Sequence, residues 1–216
     1  FLGVNIGPNK ESKSRIEDYL ECLKKIHIFA NYITINISSP NTPGLRDFHN
    51  KSTLQNLLKN ITEFTKKNKI QKPLVLKVSP DITDNEISYI IELITKFNIN
   101  GVIISNTTDK NRENLSEKYK NETGGLSGEP LEKISNKLIK KFYREIKGKI
   151  TIIGVGGVNS GLTAYEKLKS GASLLQLYTG MVYEGPGIVK KIKIELIDIL
   201  EKEKIKNVNE IVGTGS

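Results

Sequence analysis

The chain alternates short, continuous apolar runs with longer segments in which apolar residues recur every three or four positions. Continuous apolar runs are typical of strands whose two faces are both covered, whereas the longer period is that of a helix packed on one side. The runs predict strands at 2–6, 32–38, 74–79, 101–105, 150–155 and 174–179. Strands that alternate with helices form a parallel sheet, so the pattern indicates an α/β fold.

The segments between these strands carry helical patterns. A Ser or Thr followed three residues later by Glu is the capping-box signature of a helix start, and it occurs at Ser14 with Glu17 and at Thr83 with Glu86. Apolar stripes at helical spacing follow both starts. Further helices are predicted around 54–61 and over 131–146, 161–169 and 187–202. Residues 108–129 show no clear element, and this polar, glycine-containing stretch is a candidate mobile lid.

Two architectures fit such a sheet: a doubly wound open sheet and a (β/α)8 TIM barrel. The nucleotide-binding glycine motif of an open sheet would fall on "GVGGVN", but Asn159 stands where the third Gly belongs. Polar residues follow every strand, which is where barrel enzymes place their sites, so the barrel is favoured. A closed barrel needs eight strands. We therefore expect residues 1–216 to form one catalytic domain covering about the third to eighth strand–helix units, with the first strands upstream of Phe1.

The charge of the chain narrows the choice of partners. There are 33 Lys and Arg against 24 Asp and Glu, a formal charge of +9, and only four of the basic residues are arginines. Lysine is a strongly hydrated point charge that reads phosphates and bases poorly. The excess is therefore interpreted as a solvated surface rather than a nucleic-acid footprint, while attraction to an anionic membrane surface stays open.

Cysteine and histidine are scarce. Cys22 is the only cysteine, so no internal disulfide is possible, and a reducing compartment is favoured. With His27 and His49 as the only histidines and no carboxylates clustered at ligand spacing, no metal site is predicted. No apolar run approaches the length of a membrane span. Because the chain begins without Met and within a strand, it is interpreted as a fragment, and an upstream signal or anchor stays an open alternative.

A lysine lies in the middle of the third predicted strand. Lys77 is flanked by Leu76 and Val78, and a buried charge is costly without a partner. If Lys77 points into the barrel, alternation along the strands also directs Asn36 inward, and Ser105 can join them. Such a polar layer suits a planar polar ligand. The simpler alternative is a lysine that extends out of the strand end into water.

Glycines follow the last two strands. Gly154, Gly156 and Gly157 precede a predicted helix, and Tyr178, Thr179 and Gly180 follow the next strand. Glycine lets backbone N–H groups approach an anion, and the loops after the last two strands of these barrels often bind phosphate. Tight turns alone are the alternative. A third loop, "GGLSG" at 124–128, could join them. A phosphate at one end and a planar group over the lysine layer together describe flavin mononucleotide, FMN.

Seven stretches, each at a strand end, carry a family resemblance. They are "LGVNIGPNK", "NISSPNTPGLR", "LVLKVSPD", "IISNTT", "ETGGLSGEPL", "IIGVGGVNSG" and "GASLLQLYTGMVYEGP". In this order they resemble the dihydroorotate dehydrogenases, which oxidise dihydroorotate to orotate in pyrimidine synthesis. The resemblance implies an FMN-binding (β/α)8 barrel.

The resemblance also implies a class. Soluble members of the family place a Cys as catalytic base in the loop after the fourth barrel strand, and the membrane-associated, quinone-reducing members place a Ser there. Ser39 stands at that position here, whereas Cys22 lies elsewhere. The implied class is therefore the quinone-reducing one.

By resemblance, individual residues receive roles. Ser39 is the catalytic base, with Thr42 the nearest residue to pass its proton on through water. Lys77 stabilises negative charge that grows on the flavin ring. Substrate-binding positions are Asn36, Asn41, Asn106 and Thr107, and flavin-binding positions are Asn5, Asn36, Lys77, Ser105, Gly128, Gly157, Tyr178 and Thr179. Ser38, the neighbour of the base on an extended segment, is expected to point the opposite way and to serve as a neutral control.

The implied partners are dihydroorotate and orotate, a quinone, and a membrane surface reached through an N-terminal segment absent from this chain. The implied location is the cytoplasmic side of a bacterial inner membrane, or the mitochondrial inner membrane in a eukaryote. No nucleic acid partner is expected.

Three other functions fit the sequence less well than a dihydroorotate dehydrogenase. A 2-hydroxy-acid oxidase would require a catalytic His after one of the last barrel strands, and neither His27 nor His49 follows a late strand. A dihydrouridine synthase usually uses a loop Cys, which is missing. A non-enzymatic lysine-rich module that binds nucleic acid would cluster its basic residues with aromatics, and here the lysines are scattered.

Overall fold

The computed structural model describes residues 1–110, 112–113 and 115–216, and these form one curled parallel sheet. The strands are β1 (Gly3–Ile6), β2 (Tyr32–Asn36), β3 (Leu74–Val78), β4 (Gly101–Ile104), β5 (Thr151–Val155) and β6 (Leu174–Gln176). Their order in the sheet is their order in the chain, so β1 pairs with β2 alone and β6 with β5 alone. The α/β prediction is confirmed.

Helices connect the strands and cover one face of the sheet. They are α1 (Arg15–Ile26), α2 (Lys51–Lys67), α3 (Asp84–Lys96), α4 (Glu117–Lys120), α5 (Glu132–Ile146), α6 (Gly161–Lys169), α7 (Thr179–Glu184) and α8 (Ile188–Lys202). Short 3₁₀ helices occur at Leu45–His49, Glu129–Leu131 and Val208–Ile211. A strand-to-helix repeat of this kind builds a barrel wall.

The main core lies between the sheet and the helices. Leu74, Leu76 and Val78 of β3 belong to it, together with the apolar stripe of α2. The opposite face of the sheet carries a smaller apolar cluster of Val75, Ile103 and Ile153. Successive side chains of a strand point to opposite faces, so Lys77 lies on this inner face, as the alternation predicts.

The sheet curls around its inner face. The side-chain amide of Gln176 on β6 donates a hydrogen bond to the hydroxyl of Tyr32 on β2 at 3.3 Å. These two strands are far apart in the order of the sheet, so the contact requires the sheet to bend back on itself. The six units thus form an open part of a barrel, called the half-barrel below.

Helix starts agree only partly with the sequence pattern. Thr83 and Glu86 form the expected capping box, but Ser14 makes no side-chain hydrogen bond to its helix, so that prediction was wrong. At Ser14 the backbone ψ is 90°, whereas at Thr83 it is 165°. The hydroxyl of Ser14 is therefore not directed at the free N–H groups of the first turn. An unpredicted box forms at Ser160 with Thr163.

The last strand is shorter than predicted. β6 ends at Gln176, and Thr179 already begins α7, which the sequence pattern did not indicate. The stretch 108–129, the candidate lid, contains α4 and an antiparallel bridge between Thr108 and Leu126. Asn111 and Asn114 of that stretch lie outside the described residues. The mobility of the stretch stays a prediction.

Membrane-spanning helices and metal-binding clusters are both absent from the residues that the structure describes. None of the helices there combines the length and the apolar content that crossing a bilayer requires. His, Cys, Asp and Glu side chains do not gather there in groups of three that could hold a metal ion.

Candidate active site

The carboxyl ends of the parallel strands meet at one edge of the half-barrel, and two cavities open there. A cavity of about 370 Å³ is bounded by the glycine loops, including Gly128 and Gly157. A second cavity of about 350 Å³ is lined by Asn5, Asn36, Ser39 and Asn106, among others. Lys77 lines both cavities, so one cation stands where the two meet.

Lys77 is held at this junction by the register of the sheet. Asn36 of β2 lies directly beside it on one side and Ile103 of β4 on the other. Burial lowers the pKa of Lys77, because the charged amine has lost part of its water. No carboxylate in the part of the chain that the structure describes forms an ion pair with it. The site therefore presents a partly desolvated cation suited to an anionic or electron-rich ligand.

Two asparagines and a serine form a hydrogen-bonded cluster beside the lysine. The Asn106 side-chain amide donates to Asn36 Oδ1 at 3.3 Å and to Ser38 Oγ at 3.0 Å. Ser38 donates to the same Asn36 Oδ1 from its backbone N–H at 3.2 Å and from its hydroxyl at 3.1 Å. With its oxygen engaged three times, Asn36 presents its NH₂ group to the cavity as a donor.

Ser39 and Ser38 differ in their surroundings, and their opposite orientation stays a prediction. Ser39 is half-buried and lines the second cavity, and its Oγ accepts a hydrogen bond from the N–H of Asn41 at 3.3 Å. Ser38 is fully buried. Because its hydroxyl connects Asn36 and Asn106, the expectation that Ser38 is a neutral control was wrong.

Thr42 and Asn41 lie apart from this cluster. Thr42 is half-buried and lines neither of the two cavities, and its carbonyl accepts the N–H of Leu45. Asn41 is exposed and lines a third cavity of about 350 Å³, together with Arg112 and Gly124. Their roles in proton transfer and substrate binding stay predictions.

The glycine cavity is shaped by close backbone approach. Gly157 has φ +76°, and a Cβ there would lie 2.5 Å from Glu132 Cβ and 2.8 Å from Glu132 Cα. Gly128 has φ +80° and faces Thr179, whose hydroxyl donates to Ser127 Oγ at 3.0 Å. Only glycine fits both requirements at position 157. The loops thus leave room and bare backbone for a ligand.

The remaining predicted flavin positions line the cavities in different ways. Ser105 is buried at the wall of the glycine cavity, and its hydroxyl donates to the carbonyl of Asn106 at 3.1 Å. Thr107, a predicted substrate-binding residue, also lines that cavity. Tyr178 lines it too but is 77% exposed. Asn5 is exposed at the second cavity.

Arg46 was missed by sequence reasoning, although it joins three strand-end loops. It follows the Ser39 loop, forms an ion pair with Asp81 at 3.2 Å and with Asp109 at 2.8 Å, and donates to the carbonyl of Thr107 at 3.3 Å. Asp81 follows β3 and Asp109 follows β4. The available signal was the use of arginine, one of only four in a lysine-rich chain, since its planar fork suits two partners at once.

The two histidines lie away from the cavity linings. His49 is buried in the 3₁₀ helix after β2, where its Nε2 accepts the N–H of Ser79 at 3.3 Å. His27 contacts carbonyls at the end of α1. Neither lines the two cavities around Lys77, so the structure offers no catalytic histidine among the described residues there.

Comparisons with known proteins agree with this geometry. A family profile described as dihydroorotate dehydrogenase matches residues 1–200. The chain is 44% identical over 197 residues to the dihydroorotate dehydrogenase (quinone) of Vibrio parahaemolyticus, covering 88% of this chain and 59% of that protein. It is 39% identical over 218 residues to the mitochondrial dihydroorotate dehydrogenase (quinone) of Arabidopsis thaliana, covering 99% of this chain and 47% of the relative.

A solved structure matches as well. The crystal structure of the Eimeria tenella enzyme in complex with ferulenol superposes with a TM-score of 0.92 at 35% identity, covering 98% of this chain and 61% of that one. The chain thus spans roughly half to three fifths of the length of these relatives. The match confirms the barrel prediction for the six strand–helix units present. This chain belongs to the dihydroorotate dehydrogenase family.

Proposed function

We propose that the protein oxidises (S)-dihydroorotate to orotate in pyrimidine biosynthesis, with FMN as first electron acceptor and a quinone as final acceptor. One observation carries the proposal: the Asn36–Ser38–Asn106 cluster and Ser39 share a cavity with Lys77, and that cavity adjoins the glycine cavity. Amide donors beside a cation and a hydroxyl suit a small, planar, anionic substrate with imide groups.

The residues present fit FMN. The glycine cavity has a volume of about 370 Å³, within the range of about 300–1,000 Å³ usual for small-molecule sites. Gly157 packs tightly against Glu132, and the glycines that line the cavity carry no side chain that would keep a phosphate away from their backbone N–H groups. Ser105 and Lys77 lie where the ring system would reach the second cavity. When bound, FMN would supply the acceptor for the hydride that leaves carbon 6 of dihydroorotate.

The chain's own side chains would orient the substrate and move its proton. Asn36 donates to a ring oxygen from its free NH₂ group, and Asn106, whose two N–H groups are engaged with Asn36 and Ser38, holds that group in position. Ser39 Oγ takes the proton from carbon 5 as the hydride departs from carbon 6, and passes its own proton onward through water, with Thr42 the residue proposed to assist. Lys77 stabilises the negative charge that the acceptor gains.

The identity of the base supports the quinone-reducing class. Ser39, not a cysteine, occupies the cavity, and Cys22 lies on α1. The relatives named above are quinone enzymes, and one is mitochondrial. We accordingly propose association with a bacterial inner membrane on its cytoplasmic side, or with the mitochondrial inner membrane.

The test uses the protein expressed from its complete gene. The purified protein should show a flavin absorbance spectrum, which dihydroorotate should bleach under anaerobic conditions and a quinone analogue should restore. A lactate-type 2-hydroxy acid and an unmodified transfer RNA serve as alternative substrates. A protein without flavin, or a flavin reduced by the 2-hydroxy acid but not by dihydroorotate, would overturn the proposal.

A further inference from the structure

Lys167 of α6 is fully buried, although nothing in the proposed chemistry uses it. Its ammonium group donates to Ser135 Oγ and to Asn136 Oδ1, both at 2.6 Å, and both partners lie on α5. Its alkyl stem packs against Gly154, where a Cβ would come within 2.7 Å of it. A lysine buried to this extent usually has a charged partner.

No ion pair to Lys167 exists within residues 1–110, 112–113 and 115–216. Burial lowers its pKa to about 8, and the charge of Glu132 opposes that shift. At neutral pH most of the molecules therefore still carry this buried positive charge. Glu132 offsets part of the desolvation cost from a distance, but the ammonium group has no carboxylate in direct contact among the described residues, and such a charge can still attract an anion nearby.

The charge lies directly behind the glycine cavity. Ser135, which accepts from Lys167, also contacts the carbonyl oxygen of Gly156 at 3.4 Å. Gly157, the next residue, packs on Glu132 one turn earlier in α5. One serine thus separates the ammonium group from the loop that lines the cavity.

The cavity itself is poor in positive charge. Among its described lining residues Lys77 is the one basic side chain, and it stands at the junction with the second cavity. Glu129 and Glu184 also line the cavity, and Glu184 is paired with Lys191 at 2.8 Å. A dianionic phosphate there would face backbone N–H groups and neutral hydroxyls such as those of Ser127 and Thr179, beside a carboxylate.

We propose that Lys167 supplies, from behind the loop of Gly156 and Gly157, the positive charge that makes this cavity select a phosphorylated flavin over an unphosphorylated one. The inference rests on the proposed FMN site and concerns its specificity. The ammonium group of Lys167 can stabilise a phosphate without touching it, because electrostatic interactions in a partly desolvated site extend over several ångströms.

The experiment compares FMN with riboflavin, which lacks the phosphate. Lys167→Met keeps an unbranched apolar stem as far as Cε and removes the ammonium group. Lys149→Met removes a charge from an exposed residue just before β5, at the opposite end of the sheet. Apoprotein of each variant, prepared from the complete gene, is titrated with both flavins by fluorescence quenching. Removing one positive charge at this distance from the phosphate should lower the affinity for FMN by about 10- to 100-fold.

We expect Lys167→Met to lower the affinity for FMN by about 10-fold or more and to leave riboflavin affinity within about twofold. The melting temperature should fall by a few degrees, because Ser135 and Asn136 lose a buried hydrogen-bond donor. Lys149→Met should change neither affinity. Ser135→Ala retains the charge and should keep most of the preference for FMN. If Lys167→Met does not fold, Lys167→Gln takes its place, since its amide can still donate to Ser135.

Equal losses for both flavins, or no loss for either, would overturn the inference and leave Lys167 as a packing residue. Wild-type apoprotein that binds neither flavin would instead defeat the proposed function. The two failures are therefore distinguishable.

Discussion

Replacing Ser39 by alanine tests the proposed chemistry most directly. Ser39 Oγ has one hydrogen bond among the described residues, a long one from the N–H of Asn41 at 3.3 Å. Removing it should cost less than about 1 kcal/mol of unfolding free energy, or a few degrees in melting temperature at most. A positioned general base contributes about 10²–10⁴ in rate. The variant should keep its FMN and its fold and lose at least 100-fold in the rate of flavin reduction.

The assay is anaerobic stopped-flow absorbance of the flavin after mixing with dihydroorotate, on the protein expressed from its complete gene. Ser39→Cys should retain more of the rate than Ser39→Ala at high pH, because a thiol loses its proton more readily than a hydroxyl. Ser88→Ala, an exposed serine on α3, provides the matched control. Ser39→Ala protein that reduces its flavin at the wild-type rate would refute the assignment of the base.

Ser38→Ala separates positioning from proton transfer. Its hydroxyl is buried, donates to Asn36 at 3.1 Å and accepts from Asn106 at 3.0 Å. Losing both contacts should cost about 1–3 kcal/mol, which corresponds to roughly 2–12 °C in melting temperature for a chain of this size. We expect weaker dihydroorotate binding as well, because the two amides lose their shared anchor. If Ser38→Ala slowed flavin reduction as much as Ser39→Ala at saturating dihydroorotate, the base would be on the wrong residue.

Three other predictions follow from the structure. Gly157→Val should lower both the melting temperature and the flavin content after purification, because a Cβ there meets the backbone of Glu132, and unchanged flavin content would contradict the phosphate site. Burial lowers the pKa of His49, and the charged groups of Arg46, Glu86 and Asp81 lie near it. Below about pH 6.5 the imidazole of the unfolded chain therefore takes up a proton that the folded chain does not bind. Unfolding free energy from urea titrations should therefore fall as the pH drops from about 6.5, and His49→Gln should flatten that slope; equal slopes would count against it. Arg46→Met should lower the free energy of unfolding by about 1–3 kcal/mol, because it leaves the carboxylate of Asp81, only 8% exposed, without its ion pair. Arg46→Lys should restore part of this loss. An unchanged melting temperature in Arg46→Met would show that other contacts hold the three loops together.

The pattern of apolar residues predicted the fold best at strands whose two faces are both buried. The run around Lys77 gave the strand and the direction of its side chain, because two-residue alternation leaves a lysine flanked by core residues one way to point. Helices with strong stripes, such as the one predicted over 131–146, were placed to within one residue of their observed ends. The short α7 was not, since six residues carry too little period to distinguish from a strand end.

The site was less predictable than the fold, for physical reasons. Periodicity places Lys167 at a buried position of α6, but a lysine is normally expected to reach water, and its partners Ser135 and Asn136 lie on another helix. Arg46 meets its partners only when three loops converge. Asn41 and Thr42 follow Ser39 in sequence, yet the turn after Ser39 directs them away from its cavity. Contacts between loops depend on the closed fold, which single-sequence patterns do not encode.

The identity of sheet order and chain order has a consequence for synthesis. Each strand from β2 to β6 pairs with the strand made just before it, so none of these five strands waits for a partner made later in order to join the sheet. Successive strands begin at Gly3, Tyr32, Leu74, Gly101, Thr151 and Leu174. At about 5–20 residues per second a ribosome needs on the order of 1–10 s per unit, far longer than a helix or a short loop takes to form. The half-barrel can therefore grow vectorially, adding each strand to a free edge as it emerges, and the edge exposed at any moment is the place where a chaperone would have to act.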